Sequence, residues 1–325
     1  MSQPYRLLTL LADGRVHSGV ELGRMLGVEQ GAVRGSIRAL RRRGLEIRPV
    51  RGRGYRLGAA IELLDAERIR AQLGATALQQ LDRLEVLPEV DSTNHHLLRA
   101  AREQGARARA CFAEYQSAGR GRRGRSWCSP LGGNLYLSLS WIFSAAPSEM
   151  AGLSLALGTA VADTLAALGE RNVQLKWPND LVRGGRKLGG LLIETLSGSA
   201  RGILVVAGVG LNVAMVTDAT PAIDQPWAEI NGVRAGTLGR NRLAARLLAA
   251  LLEGMTGFEE HGFAAFREAW ARLDAARGHA VTLHSATGER HGTACGVDPR
   301  GALLVDIGGR VEVLDSGEIS MRVVP

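Results

Sequence analysis

The chain has 325 residues, 46% of them hydrophobic and 22% charged, with a formal net charge of +8. That length leaves room for two or three domains and a sizeable core, and the composition is that of a folded globular protein, not a disordered one. No apolar run approaches the roughly 18 residues of a membrane helix, and the first fifteen residues show no signal-peptide pattern, so a cytoplasmic protein with no membrane partner is expected.

Cys111, Cys128 and Cys295 are scattered and odd in number, which argues against a disulfide framework or a zinc site. The charge is segregated. Residues 1–60 hold twelve Arg against four acidic residues, an excess equal to the whole formal charge, while the remaining 265 residues carry 28 cationic and 28 acidic groups. A polyanion is the natural partner of such a segment.

Leu7, Leu8 and Leu11 form the apolar stripe of a first helix. Ser18 is placed to cap a second, which carries Leu22, Met25 and Leu26 and stops at Gly27. Val33, Ile37 and Leu40 recur at helical spacing on a third, so Arg34, Arg38, Arg41 and Arg42 point elsewhere. "LEIRPVRGRGYRL" then reads as a hairpin with Arg53 at its tip. Three helices and a basic hairpin match a winged helix-turn-helix over residues 1–62, with Arg34, Arg38, Arg41, Arg42 and Arg53 facing DNA. Arg41 to Arg43 also suit a helix C-terminus through the macrodipole alone.

In "QSAGRGRRGRSW", Gln116 to Trp127, the glycines fit G-x-G-x-x-G, but no helix pattern follows and no acidic residue occurs from Tyr115 to Ser148. A dinucleotide fold needs both. What remains is a Gly/Arg loop, with Arg120, Arg122, Arg123 and Arg125 offering planar forks to a phosphate or carboxylate. The strongest internal signal follows in "VQLKWPNDLVRGGRKLGGLLIE". The chain uses Arg for 38 of its 40 cationic side chains, and its only two lysines, Lys176 and Lys187, both lie here. Lysine kept against that background suggests a compact point charge beside a phosphate. Asn179 and Asp180, in the turn between them, are ordinary turn residues that also offer hard oxygens to Mg²⁺. "GILVVAGVGLNV" is an apolar strand with Gly208 and Gly210 near its end. Trp227 sits in a polar loop without an apolar period to join.

Toward the C-terminus, helical patterns run from about residue 241 to 273 and short strands alternate with turns from 274 to 325. His284 and His291 flank a turn and are expected at the surface; His95 and His96 are expected to be bystanders.

The stretches "EYQSAGRGRRGRSWCSPLGGNLYLSLSW", "KWPNDL", "KLGGLLIE" and "GVGLNV", with "VDSTN" upstream, resemble the signature of the biotin–protein ligases in order and spacing. With the N-terminal unit, the whole chain resembles the family of bifunctional biotin ligases and biotin operon repressors. The resemblance implies an α+β multidomain protein: the winged helix-turn-helix, a central mixed α/β ligase core over 63–273, and an SH3-like β-barrel over 274–325. It implies that biotin and Mg-ATP give biotinyl-5′-AMP, and that biotin passes to a lysine of a biotin carboxyl carrier protein. With the adenylate as corepressor, a homodimer would bind operator DNA.

Carried over by motif, Ser92, Thr93, Asn94 and Gln116 would hold biotin, with Gly189 and Gly190 as the pocket floor and Gly119, Arg120 and Arg122 in the loop over it. Lys187 would meet the biotin carboxylate and phosphate; Lys176 and Asp180 would serve the α-phosphate and Mg²⁺. Arg122, Trp127, Asn179, Asn212 and Trp227 would contact ATP or the adenylate, Trp227 by stacking on adenine. Lys187, Lys176, Arg122, Arg120 and Asp180 are thus the expected catalytic set, with Glu318 and Arg322 as secondary candidates. A repressor with an inactive ligase core, or a lipoyl ligase-type enzyme, is the alternative. With no third lysine in the chain, the acceptor lysine lies on another protein.

Overall fold

The computed structural model describes residues 2–104, 108–144, 150–199, 202–215, 223, 225–234, 236–285, 288–315 and 320–323. Three helices open the chain, α1 (Gln3–Leu11), α2 (Gly19–Leu26) and α3 (Gln30–Arg42), followed by a hairpin of β1 (Ile47–Val50) and β2 (Gly54–Leu57). Each helix has its local cause. Leu7, Leu8 and Leu11 of α1 are fully buried. Ser18 Oγ accepts the Glu21 amide at 3.0 Å, and Gly27 takes the left-handed conformation that closes α2. Val33, Ile37 and Leu40 turn α3 onto the others, and Leu45, Ile47 and Leu57 complete this small core.

A linker leads through α4 (Ala66–Arg70) and α5 (Ala75–Gln80) to a seven-stranded sheet. Its strands are β3 (Arg83–Leu87), β4 (Arg109–Ala113), β5 (Leu135–Phe143), β6 (Gln174–Lys176), β7 (Asp180–Arg183), β8 (Arg186–Ser199) and β9 (Gly202–Leu211), in the order β3-β4-β5-β9-β8-β7-β6. β3 and β4 are parallel and every other pair is antiparallel, so the sheet is mixed. The alternation of β5 decides what each face holds. Leu135, Leu137, Leu139, Trp141 and Phe143 join the main core with α7 (Leu153–Ala167) and the long α9 (Arg240–His261), which follows the short α8 (Asn231–Arg234). Ser138, on the opposite face, meets the first turn of α6 (Thr93–Gln104).

After α10 (Arg267–Leu273) comes a five-stranded antiparallel sheet: β10 (Ala280–Ser285), β11 (Gly288–Val297), β12 (Leu303–Ile307), β13 (Arg310–Leu314) and β14 (Ser320–Val323), ordered β13-β12-β11-β10-β14. Its Val281, Leu283, Val305 and Met321 belong to the same hydrophobic cluster as the large sheet. Residues 63–273 and 274–325 therefore share one core, whereas the N-terminal unit has a second, which Leu131 of the central part enters and Tyr115 packs against. Among the described residues no helix is long and apolar enough to cross a membrane.

Candidate active site

A cleft of about 1260 Å³ runs between the α6 face of the large sheet, the Gly/Arg loop and the β10–β14 edge of the C-terminal sheet. One end is lined mostly by uncharged, densely hydrogen-bonded side chains, with the Glu194–Arg120 ion pair beside them. Gln116 Oε1 accepts from the Thr93 amide at 2.9 Å, and Gln116 Nε2 donates to Ser129 Oγ at 3.0 Å. Ser138 Oγ bridges Thr93 Oγ1 (2.7 Å) and Asn94 Oδ1 (2.6 Å). Asn94 Nδ2 donates to the Leu192 carbonyl and to Glu194 Oε2 at 2.9 Å. Buried polar groups require such partners, and these are fixed on the start of α6 and on two strands. The glycines of β9 make the space: a side chain at Gly208 would overlap Asn94 Oδ1, and a Cβ at Gly210 would come within 2.6 Å of the Trp127 ring.

The other end is charged. Lys176 and Asp180 face each other across the β6–β7 turn, and Asp180 faces Gly190 of β8. Lys187 Nζ lies 2.8 Å from Asp180 Oδ1 and 5.4 Å from the centre of the Trp127 ring. Arg122 Nη1 donates to Asn179 Oδ1 at 3.4 Å, and Asn179 Nδ2 donates to the Leu191 carbonyl. Burial holds the Lys176 ammonium below the usual lysine range; Asp180 opposes this, while Lys187, Arg322 and Arg125 add to it. Burial also lowers Arg122. A buried cation crowded by cations gains most from an anion placed beside it. Among the described residues no group of three or more metal-ligating side chains is gathered. Asp180, with Asn179 beside it, suits a Mg²⁺ that arrives with phosphate oxygens and keeps water ligands.

Ser92, Thr93, Asn94, Gln116, Arg120, Arg122, Trp127, Lys176, Asn179, Asp180, Lys187 and Gly190 all line this one cleft. Four expected residues lie behind the wall instead. Gly119 packs against Trp127 and Gly189 against Gly210, each with no room for a side chain. Asn212 Nδ2 is taken up by the Lys187 and Ala228 carbonyls, both at 3.2 Å. Trp227 pairs through its backbone with Lys187, leaving Gln225 and Pro226 at the cleft.

His284, expected at the surface, lines the cleft beside Arg322. The alternation of β10 sets it on the face opposite the buried Val281 and Leu283, and its Nδ1 lies 2.8 Å from Glu289 Oε1. His95 and His96 instead pair with Asp91 and Glu85, away from the cleft. Glu318 lies outside the described residues. Sequence reasoning passed over Ser138, whose signal is a hydroxyl on an apolar strand, and Glu194, the last residue of "KLGGLLIE".

In the N-terminal unit, Arg34, Arg38, Arg42 and Arg53 are exposed, as are Arg51 and Arg56 of the hairpin. Arg41 is exposed too, but its guanidinium turns back, Nε donating to the Ile47 carbonyl at 3.0 Å. Arg43, one turn from these, joins the two units: it contacts Glu89 at 2.8 Å and sits 5.6 Å from the Tyr115 ring centre.

Residues 86–212 match the biotin/lipoate A/B protein ligase family, and residues 278–322 match the biotin protein ligase C-terminal domain. The chain is 41% identical over 320 residues to the bifunctional ligase/repressor BirA of Salmonella typhimurium, covering 98% of this chain and 97% of that protein. It is 34% identical over 271 residues to the biotin–[acetyl-CoA-carboxylase] ligase of Mycobacterium tuberculosis, covering 79% and 95%. The biotin protein ligase of Aquifex aeolicus, solved with biotin and ATP, is similar with a TM-score of 0.63 and 28% identity, over 75% of this chain and all of that one.

Proposed function

The chain belongs to the biotin protein ligase family, and from that premise we propose that it activates biotin with ATP and transfers it to a lysine of a biotin carboxyl carrier protein. In the first step a biotin carboxylate oxygen attacks the α-phosphorus of ATP; biotinyl-5′-AMP forms and pyrophosphate leaves. In the second, the carrier's lysine amine attacks the acyl carbon of that anhydride, an amide forms and AMP leaves. One observation carries the reading: a single cleft joins a neutral hydrogen-bonding end to a buried cationic end.

Thr93, Asn94, Gln116 and Ser138 present the neutral end to the polar ring of biotin, which puts its carboxylate toward Lys187. Lys187 moves from Asp180 to the two meeting anions and offsets their repulsion. Lys176 and Arg122 serve the phosphate, where positioning and fixed positive charge do most of the chemistry. Asp180 and Asn179 would hold Mg²⁺, which supplies further charge on the phosphate oxygens. Asn212 and the backbone of Trp227 keep Lys187 in place; the indole of Trp227 reaches adenine only by turning into the cleft.

The N-terminal unit acts as a winged helix-turn-helix and the C-terminal sheet as an SH3-like wall of the cleft. The protein works in the cytoplasm. With biotinyl-5′-AMP bound as corepressor, a homodimer sets two copies of α3 on operator DNA. The test is transfer of labelled biotin to a carrier domain, with and without Mg-ATP, for the wild type and Lys187→Ala. ATP-dependent transfer that collapses in the variant supports the ligase. Wild-type protein that binds DNA in response to biotin without transferring it would make the core a sensor. Pyrophosphate exchange with lipoate in place of biotin would identify a lipoyl ligase.

A further inference from the structure

The Gly/Arg loop is fastened at two points. Gly121 N donates to the Arg125 carbonyl at 2.7 Å and Arg120 bridges Ser126, so residues 120–126 form a closed hairpin. From it, Arg122 reaches Asn179 at the charged end of the cleft, and Arg120 Nη1 lies 3.1 Å from Glu194 Oε1 at the neutral end. Gly190, which faces Asp180, and Glu194 stand four residues apart on the same face of β8, a span of about 13 Å for an extended strand. The two arginines thus stretch the hairpin across the cleft.

Glu194 divides its carboxylate: Oε1 takes Arg120 and Oε2 takes the amide of Asn94. Asn94 is itself held by Ser138 and by the close approach of Gly208. Most of Glu194 is shielded from solvent while Arg120 is half-exposed. Anchored by Asn94 on one side and charge-paired with Arg120 on the other, the carboxylate ties the loop to β8.

We propose that Glu194 is a positioning residue that straps the loop over the cleft, and that Arg120 acts through it to retain biotinyl-5′-AMP until the carrier arrives. The proposal rests on the ligase reading above and adds to it the residue that holds the cover down. Glu194 pairs with Arg120 and Asn94 and with none of the cations at the charged end, so without its carboxylate adenylation at saturating substrates persists while the intermediate escapes.

The test uses the full chain loaded with labelled biotin and Mg-ATP, desalted, and chased with excess unlabelled biotin. Glu194→Gln and Arg120→Ala are each expected to release labelled biotinyl-5′-AMP about tenfold faster than wild type. The double variant should be no faster than either alone, as residues in one interaction require. Arg120→Lys should stay near wild type in release, and pyrophosphate exchange at saturating biotin should change less than about twofold in Glu194→Gln. A structural defect would slow exchange as well; the strap does not.

Unchanged release in Arg120→Ala, whose side chain is half-exposed, would overturn the proposal even if Glu194→Gln failed to fold. So would single effects that multiply in the double variant. Wild-type protein that forms no adenylate would instead overturn the ligase reading beneath it.

Discussion

The cations of this chain work in two settings that share little beyond the sign of the charge. On α3 and the β1–β2 hairpin, Arg34, Arg38, Arg42, Arg51, Arg53 and Arg56 stand in solvent. In the cleft, Lys176 and Arg122 are pushed below their ordinary ranges by burial. An exposed cation attracts a polyanion by releasing the counterions around it, so its contribution is shared among many neighbours and vanishes with salt. A buried one works in a medium that screens poorly, so each counts singly and costs stability while no anion is present. The chain marks the difference chemically: arginine supplies every other cation, and its only two lysines both stand in the cleft.

Lys187→Ala tests that contrast where the effect is largest. Lys187 holds Asp180 at 2.8 Å, and a single preorganised group of this kind is worth about 10² to 10³ in rate. Labelled-biotin transfer should fall by roughly 10³, with the thermal midpoint near wild type. A loss below tenfold would place Lys187 on the periphery.

Lys176→Met sharpens it. Pyrophosphate exchange should drop by about 10², yet the unliganded protein should lose no stability. The sign follows from the lowered folded-state pKa. Between that value and the unfolded value of 10.5, the unfolded chain binds more protons, so wild-type stability rises with pH through this window. Below the window the cost of the buried charge is present in full. The difference in unfolding free energy between wild type and Lys176→Met should therefore narrow as the pH climbs toward 10.5. A difference that ignores pH would show that burial of the charge is not what Lys176 contributes.

What the sequence made legible follows the same physics. The lysine pair stood out because the rest of the chain is arginine. The α1–α3 stripes were readable because Leu8, Val33 and Leu40 obey helical spacing locally. Contacts set by distant segments were not readable. Trp227 meets Lys187 through backbone pairing forty residues apart, and no spacing rule announces that. His284 sits on a strand whose alternation was visible, but only the docking of that sheet decided that the face opposite Val281 and Leu283 meets the cleft. Glu194 was visible as a charge ending an apolar run, whereas its partners lie on α6 and the Gly/Arg loop.

Arg38 and Arg41 provide the smallest and most discriminating test, because helical spacing puts both on the solvent side of α3. Arg38→Ala should weaken operator binding about equally across sequences and reduce the salt slope by about one, the mark of a single phosphate contact. Arg41 spends its guanidinium on the Ile47 carbonyl, closing the end of α3 against the start of β1. Its loss removes a hydrogen bond of the charged kind, worth about 1.5–3 kcal/mol where it is partly buried. Arg41→Ala should therefore lower the melting temperature of the N-terminal unit and leave the salt slope nearly unchanged. Fluorescence anisotropy on operator DNA from 50 to 200 mM salt (a range over which phosphate contacts separate clearly), read beside the melt, distinguishes the two. If both variants moved the slope alike, the bond to Ile47 would be one that DNA displaces, and Arg41 would rejoin the exposed set.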